Sequence, residues 1–82
     1  MKLGSSQLGV LKCLQERERG FVDGPYGSGW TWGTQKGTVR ILESLVKKGL
    51  VTKGEYQWRP DEPKTYPQYT ISQAGTVYLL GR

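Results

Sequence analysis

The stretch from Gly24 to Gly33 restricts the fold of this chain most, because it holds four glycines and one proline in ten residues. In a helix interior, glycine costs about 1 kcal/mol relative to alanine and proline about 3 kcal/mol, so regular helix is disfavoured here. The stretch lacks the Gly-Lys-Ser/Thr ending of a phosphate-binding loop and contains no Gly-x-Gly-x-x-Gly. We therefore predict a connecting loop rather than a nucleotide-binding loop.

A first helix is predicted before this loop, in SSQLGVLKCLQERERG. Its apolar positions recur at helical spacing: Leu8, Leu11 and Leu14. Ser5 or Ser6 is the expected N-cap, because a serine hydroxyl can accept a hydrogen bond from the backbone donors of a first turn. Gly20 can adopt the left-handed conformation that closes a helix, so we expect the helix to end there.

The clearest helix is predicted over residues 34–48, directly after the loop. Its apolar side chains recur at three- and four-residue intervals: Val39, Leu42, Leu45 and Val46. Thr34 is the expected N-cap and Gly49 the expected end. Lys36, Arg40 and Lys47 project from the opposite face, which should therefore be basic.

A hairpin and a short helix complete the predicted elements. Residues 50–58 and 66–71 have the composition of two strands, and the loop between them carries Pro60 and Pro63. Ser72 is the expected N-cap of a C-terminal helix that extends through Leu80. Trp30 and Trp32 alternate as they would on an extended strand, or else close the core over the glycine-rich loop.

Length and composition limit the class of protein. The 82 residues allow one domain, 1–82, with a small core. One cysteine and no histidine exclude the usual zinc sites and an intrachain disulfide. The acidic residues form no defined pair, so we expect no enzyme, no metal and no cofactor. No apolar run approaches the roughly 18–20 residues of a membrane span, and we expect a cytoplasmic protein without membrane contact.

Positive charge is concentrated after the loop. The chain carries 12 Lys or Arg against 7 Asp or Glu, a net charge of +5. Six of the basic residues and two of the acidic residues fall within residues 34–59. A basic segment favours anionic partners such as nucleic acid, although solvated helix faces are often basic too.

Two stretches of the sequence resemble a known family. GTVRILESLVKKGLVTK is similar to the recognition helix and following strand of MarR- and PadR-type transcriptional regulators, and YTISQAGTVYLL resembles the strand-to-helix ending of that group. The resemblance extends over residues 34–80. It implies an α+β fold, a small winged helix-turn-helix domain of three helices with a β-hairpin wing and a short C-terminal helix. The second helix of that fold would be short or replaced by the glycine-rich loop.

The resemblance also implies sequence-specific binding of double-stranded DNA by a transcriptional regulator. Helix 34–48 would lie in the major groove and hairpin 50–71 would act as the wing. Arginine can bind guanine through two hydrogen bonds and glutamine can pair with adenine, so Arg40 and Gln35 are the expected base readers. The full expected set of DNA-binding residues is Gln35, Lys36, Thr38, Arg40, Lys47, Lys53, Arg59 and Lys64. The family further implies a homodimer on a palindromic site.

A protein-interaction module is the alternative function, since the same scaffold also serves to dock onto other proteins. Its contact surface would be the aromatic side chains of the glycine-rich loop, Tyr26, Trp30 and Trp32. Tryptophan and tyrosine are enriched among the residues that dominate such interfaces.

Overall fold

The computed structural model describes residues 2–25 and 29–81, and in that part of the chain it contains three helices and a three-stranded antiparallel sheet. The helices are α1 (Ser5–Gln15), α2 (Gln35–Lys47) and α3 (Gln73–Leu80). The strands are β1 (Phe21–Val22), β2 (Val51–Tyr56) and β3 (Tyr66–Ile71). The prediction of a small α+β domain is confirmed.

Four of the predicted helix ends are confirmed, among them the end of α3 at Leu80. The Thr34 hydroxyl accepts a hydrogen bond from Gly37 N–H at the start of α2, and the Ser72 hydroxyl accepts one from Gly75 N–H at the start of α3. Gly49 has a φ of +79° beyond the end of α2. The N–H groups of Gly49 and Leu50 donate to the carbonyls of Val46 and Leu45 at 3.0 and 3.1 Å, the bond pair of a glycine-terminated helix.

The predicted ends of α1 are wrong. Its N-cap is Gly4, whose N–H donates to Gln7 Oε1 at 3.1 Å, while Ser5 is already the first helical residue. The helix ends at Gln15 and not at Gly20. Gly20 does have a positive φ, +70°, but it lies directly before β1. A Cβ at Gly20 would overlap the backbone oxygen of Tyr69, so glycine is needed there for the close approach of the chain to β3.

The described part of the glycine-rich loop is neither helix nor strand. Residues 23–25 and 29–34 have no regular secondary structure, so Trp30 and Trp32 do not alternate on a strand. The loop is fastened to α2 by the Thr38 hydroxyl, which accepts a hydrogen bond from Trp32 N–H at 2.8 Å. The Trp32 ring lies against Gly9 of α1, where a Cβ would overlap it.

The sheet has the order β1-β3-β2, with β3 at its centre. Phe21 pairs with Tyr69 across β1 and β3, and Lys53 pairs with Tyr69 across β2 and β3. The first strand of the hairpin is shorter than the predicted 50–58, because β2 ends at Tyr56. The connection through residues 57–65 is therefore longer than predicted.

The core lies between the helices and the inner face of this sheet. Its ring pair is Phe21 and Tyr69, with centroids 6.5 Å apart. The buried residues that pack together are Leu3, Val10, Leu11, Leu14, Phe21, Leu42, Leu45, Leu50, Val51 and Tyr69. Within residues 2–25 and 29–81, no helix has both the length and the apolar character needed to cross a membrane.

Two glycines with a similar positive φ, Gly20 and Gly49, test the close approach at β1. We expect Gly49→Ala to lower the free energy of unfolding by about 1–2 kcal/mol, since its Cβ meets no atom within 4 Å and only the left-handed backbone is unfavourable. Gly20→Ala combines the cost of a positive φ with the overlap with the Tyr69 backbone oxygen, and we expect it to cost about 1–3 kcal/mol more than Gly49→Ala. Urea unfolding of both variants checks this, and equal losses would show that Gly20 has no packing role.

Candidate nucleic-acid interface

The exposed face of α2 carries a row of charged side chains that we call the basic ridge: Lys36, Arg40 and Lys47, with Glu43 between the last two. These positions are separated by four, three and four residues, so the side chains stack along one helix face. The buried residues Leu42 and Leu45 lie on the opposite face. The predicted basic face is therefore confirmed as an exposed surface, about 16 Å long from Lys36 to Lys47.

Gln35 and Lys36 are exposed in the first turn of α2, as a base-contacting position requires. The amide nitrogen of Gln35 donates to Asp23 Oδ1 at 2.8 Å. This bond connects the start of α2 to the end of β1. The bond uses one of the two amide hydrogens, so the other hydrogen and Oε1 have no part in it.

Thr38 does not belong to the exposed surface, and its predicted contact with DNA is wrong. The residue has 0% of its surface exposed. Its hydroxyl donates to the Thr34 carbonyl at 2.7 Å and accepts from Trp32 N–H. Position 38 lies on the helix face opposite the basic ridge, so its polar side chain serves to hold the loop and not to reach outward.

Lys53 joins the hairpin to the basic ridge. Its Nζ donates to Glu43 Oε2 at 2.8 Å, and the Tyr69 hydroxyl donates to the same oxygen at 2.5 Å. Lys53 also lies 5.7 Å from the centroid of the Tyr69 ring. The side chains of Lys53 and Glu43 are 45% and 39% exposed, whereas Tyr69 is buried. A carboxylate on α2 is thus held by one group from β2 and one from β3.

These contacts shift the pKa values of two groups. The Lys53 ammonium and then the Tyr69 hydroxyl hold the pKa of Glu43 below its ordinary value of 4.5. Burial, followed by the hydrogen bond to Glu43, raises the pKa of Tyr69 above its ordinary value. Glu43 is therefore a carboxylate and Tyr69 a hydroxyl donor at neutral pH.

Arg59 and Lys64 lie in the connection between β2 and β3 and are exposed. The Lys64 ammonium stands 5.4 Å from the Tyr66 ring. Both residues belong to the far end of the hairpin, whereas Lys53 lies next to α2. The structure therefore separates the predicted basic residues into the basic ridge with Lys53 and a second group on the hairpin loop.

Of the three aromatic residues of the alternative function, the structure describes Trp30 and Trp32, and these two differ in exposure. Trp30 is partly buried, with its ring edge-on to Phe21 at 5.3 Å and its Nε1 donating to the Gly20 carbonyl at 3.2 Å. Trp32 is 41% exposed. Tyr26 lies outside the described residues. Trp30 thus closes the core, and Trp32 is the exposed aromatic ring of the described part of the loop.

The contacts of two charged residues of this surface, Glu43 and Arg19, have no signal in the sequence. Glu43 falls on the basic ridge by its spacing, but its pairing with Lys53 and Tyr69 joins residues 10 and 26 positions apart. Arg19 stands 4.9 Å from the Trp58 ring and 5.6 Å from the Tyr56 ring, which places another cation against the hairpin. No local pattern indicates either contact, because each depends on the sheet register.

The described surface was also searched for places that could hold a small molecule or a metal ion. An open cavity of about 460 Å³ beside the first turn of α2 is lined by Asp23, Gln35, Lys36 and Val39. Among residues 2–25 and 29–81, no group of three or more His, Cys, Asp or Glu side chains is placed to hold a metal ion. The exposed charges of α2 and the hairpin are thus the main chemical feature of the described surface.

The contribution of Glu43 to stability depends on pH. Because its pKa is lower in the folded state than in the unfolded state, its contribution is complete above about pH 4.5 and is lost as the pH falls through the folded-state pKa. We expect Glu43→Gln to lower the free energy of unfolding by about 1 kcal/mol at pH 7, given the partial exposure of the pair. Urea unfolding at several pH values should show this gap closing in acid.

Glu55→Gln is the matched control, since it removes an exposed carboxylate from β2. Its effect should stay within about 0.5 kcal/mol at every pH. A gap between Glu43→Gln and wild type that stays constant from neutral to acidic pH would contradict the role assigned to the carboxylate.

No protein family, no curated protein and no solved structure is significantly similar to this chain. The function must therefore be inferred from the geometry of the surface just described.

Proposed function

We propose that this chain is a winged-helix domain that binds double-stranded DNA in a sequence-specific manner and acts as a transcriptional regulator. In this proposal α2 lies in the major groove and the β2–β3 hairpin is the wing. The element order of the domain supports it, with a loop in place of the usual second helix. We also propose that the protein acts in the cytoplasm.

The observation that carries the proposal is the alignment of Lys36, Arg40 and Lys47 on the face of α2 opposite the core. A helix fits the major groove, and basic side chains along its exposed face bind phosphates and release counterions. Lys53 continues this positive surface onto the hairpin. The two elements that a winged helix applies to DNA therefore both present cations.

The predicted DNA-binding residues differ in the contact that each can make. Arg40, in the second turn of α2, can form two hydrogen bonds to the O6 and N7 atoms of guanine. Gln35 can pair with adenine through its amide group. Lys36 and Lys47, and on the hairpin Lys53, Arg59 and Lys64, suit phosphate oxygens. Thr38 is left out, because its side chain is buried.

A protein-interaction module remains the second candidate, and the exposure of Trp32 favours it. The surface offered is small, since the Trp30 ring packs on Phe21 and its nitrogen is bound by Gly20. Hot spots that dominate binding lie in clusters of anchors. We therefore place DNA binding first.

The double variant Lys36→Ala/Arg40→Ala tests the role of α2 directly. Fluorescence anisotropy with a labelled mixed-sequence duplex should show salt-dependent binding by the wild type. The variant should bind at least about tenfold more weakly, and the slope of log K against log salt should be shallower by about 1–2.

Lys2→Ala/Lys12→Ala is the matched control, because it removes two exposed positive charges from the N-terminal segment and α1. It should retain most of the affinity. If both double variants lose affinity equally, net charge and not α2 is responsible. If the wild type does not bind at micromolar concentration and low salt, the DNA-binding proposal is wrong and the interaction module takes its place.

We further propose that the domain forms a homodimer on DNA, as the resemblance implies. Val77 and Leu80 of α3 are 59% and 76% exposed, and with Trp32 they are the large hydrophobic side chains exposed in the described ranges. Burying such side chains between two copies would be favourable. A dimer would also double a protein surface that is small for a specific site.

Sedimentation of the free protein and of its complex with DNA checks the dimer. We expect the wild type to be dimeric on DNA and Leu80→Lys to be monomeric, since a buried lysine would be unfavourable at the contact. Gln73→Lys adds the same charge to an exposed position of α3 and should leave the dimer intact. A monomeric wild type, both free and on a selected site, would show that the proposed dimer does not form.

A further inference from the structure

Glu43 stands in the middle of the surface that would face DNA. It lies three residues after Arg40 and four before Lys47 on the basic ridge. An unneutralised carboxylate at this place would repel phosphates, and most solvated acids would turn away from them. Glu43 is prevented from turning away, because Lys53 and Tyr69 both donate to its Oε2.

Of the two groups that bind Glu43, the Tyr69 hydroxyl has a fixed position. Tyr69 is 1% exposed and lies in the central strand, so the position of its hydroxyl is set by the core. Both hydrogen bonds end on Oε2, and among the described residues none ends on Oε1. The carboxylate therefore keeps one oxygen with its full capacity to accept a hydrogen bond, in a fixed orientation beside the basic ridge.

We propose that Glu43 is a specificity-determining residue that accepts a hydrogen bond from the N4 amino group of a cytosine in the major groove. This inference rests on the DNA-binding function proposed above. Cytosine presents its amino group without an adjacent acceptor of its own, whereas adenine places N7 beside N6, where a carboxylate meets repulsion. Because Arg40 and Glu43 are neighbours on the helix, the cytosine lies about one or two base pairs from the guanine read by Arg40.

Lys53 has a second role in this arrangement. While it is bound to Glu43, one of its donors is taken and the local charge is balanced. A neutral residue at position 43 would free this donor of Lys53 as well for phosphate and would remove a negative charge from the basic ridge. Glu43 thus lowers the affinity for DNA in general and raises the preference for one sequence.

Selection of binding sites from a random duplex library, by the wild type and by Glu43→Gln, tests the inference. The wild type should select cytosine at one position, with other bases bound about 5- to 150-fold more weakly there. Glutamine pairs with the N6 and N7 of adenine, so Glu43→Gln should change this preference from cytosine to adenine. Its affinity for mixed-sequence DNA should rise severalfold, with a salt slope steeper by about 1.

Glu18→Gln is the control, because it removes one exposed acid from the turn between α1 and β1. It should leave the selected site unchanged. Tyr69→Phe keeps the carboxylate but removes one of its two hydrogen bonds, so it should select the same site with a weaker preference for cytosine. Thermal unfolding checks that each variant is folded. If Glu43→Gln does not fold, the preference of Tyr69→Phe for cytosine becomes the test of the inference.

The outcomes separate this inference from the proposed function. Absence of salt-dependent binding by the wild type would overturn both. A wild type that selects a site, with Glu43→Gln selecting the same cytosine, would overturn the role of Glu43 alone. A uniform loss of affinity for all sequences in Glu43→Gln would assign Glu43 a purely structural role and would also overturn the inference.

Discussion

The buried side chain of Tyr69 is the point on which the arrangement of the exposed surface depends. Its ring packs against Phe21 in the core, while its hydroxyl reaches Glu43 of α2. Because β3 is the central strand, a displacement of Tyr69 would move the partners on both of its edges. Lys53 closes the contact from β2. The distance between the basic ridge and the hairpin is therefore set from inside the domain and not by the exposed side chains themselves.

Close contacts between backbone segments help such a small chain to hold its helices and sheet in fixed positions. At Gly20 the chain passes directly over the Tyr69 carbonyl, and at Gly75 the start of α3 passes over the Leu50 carbonyl, with no room for a Cβ in either place. Small domains bury only a modest fraction of their surface and have few large side chains in the core. Closely packed backbone segments add dispersion contacts to those of these side chains. The same packing leaves the charged face of α2 exposed, since Leu42 and Leu45 on the opposite face are fully buried.

The sequence predicts those features that depend on neighbours along the chain. The caps at Thr34 and Ser72 and the glycine at position 49 follow from local hydrogen bonding and φ preference, and all three are correct. The prediction for Thr38 failed because a threonine near a helix start can either face solvent or form an internal hydrogen bond. Here Trp32 of the loop donates to its hydroxyl, and the side chain is therefore buried. The contact of Glu43 with Tyr69 needs the register of β3 and the crossing of α2, neither of which is local information.

A short helix with a few cations has a physical reason to carry an acid among them. Charge attraction to phosphates is independent of sequence, so three or four basic side chains alone would bind any duplex in proportion to its charge. An acid fixed beside them is repelled by the phosphates of every site and regains free energy only where a base donates to it. The preference for one sequence comes from the difference in binding free energy between a site where a base donates to the carboxylate and a site where none does. This difference is larger when the carboxylate cannot rotate away. Tyr69 and Lys53 supply that restraint for Glu43, and in this way a tyrosine whose ring is buried in the core influences the exposed surface of α2.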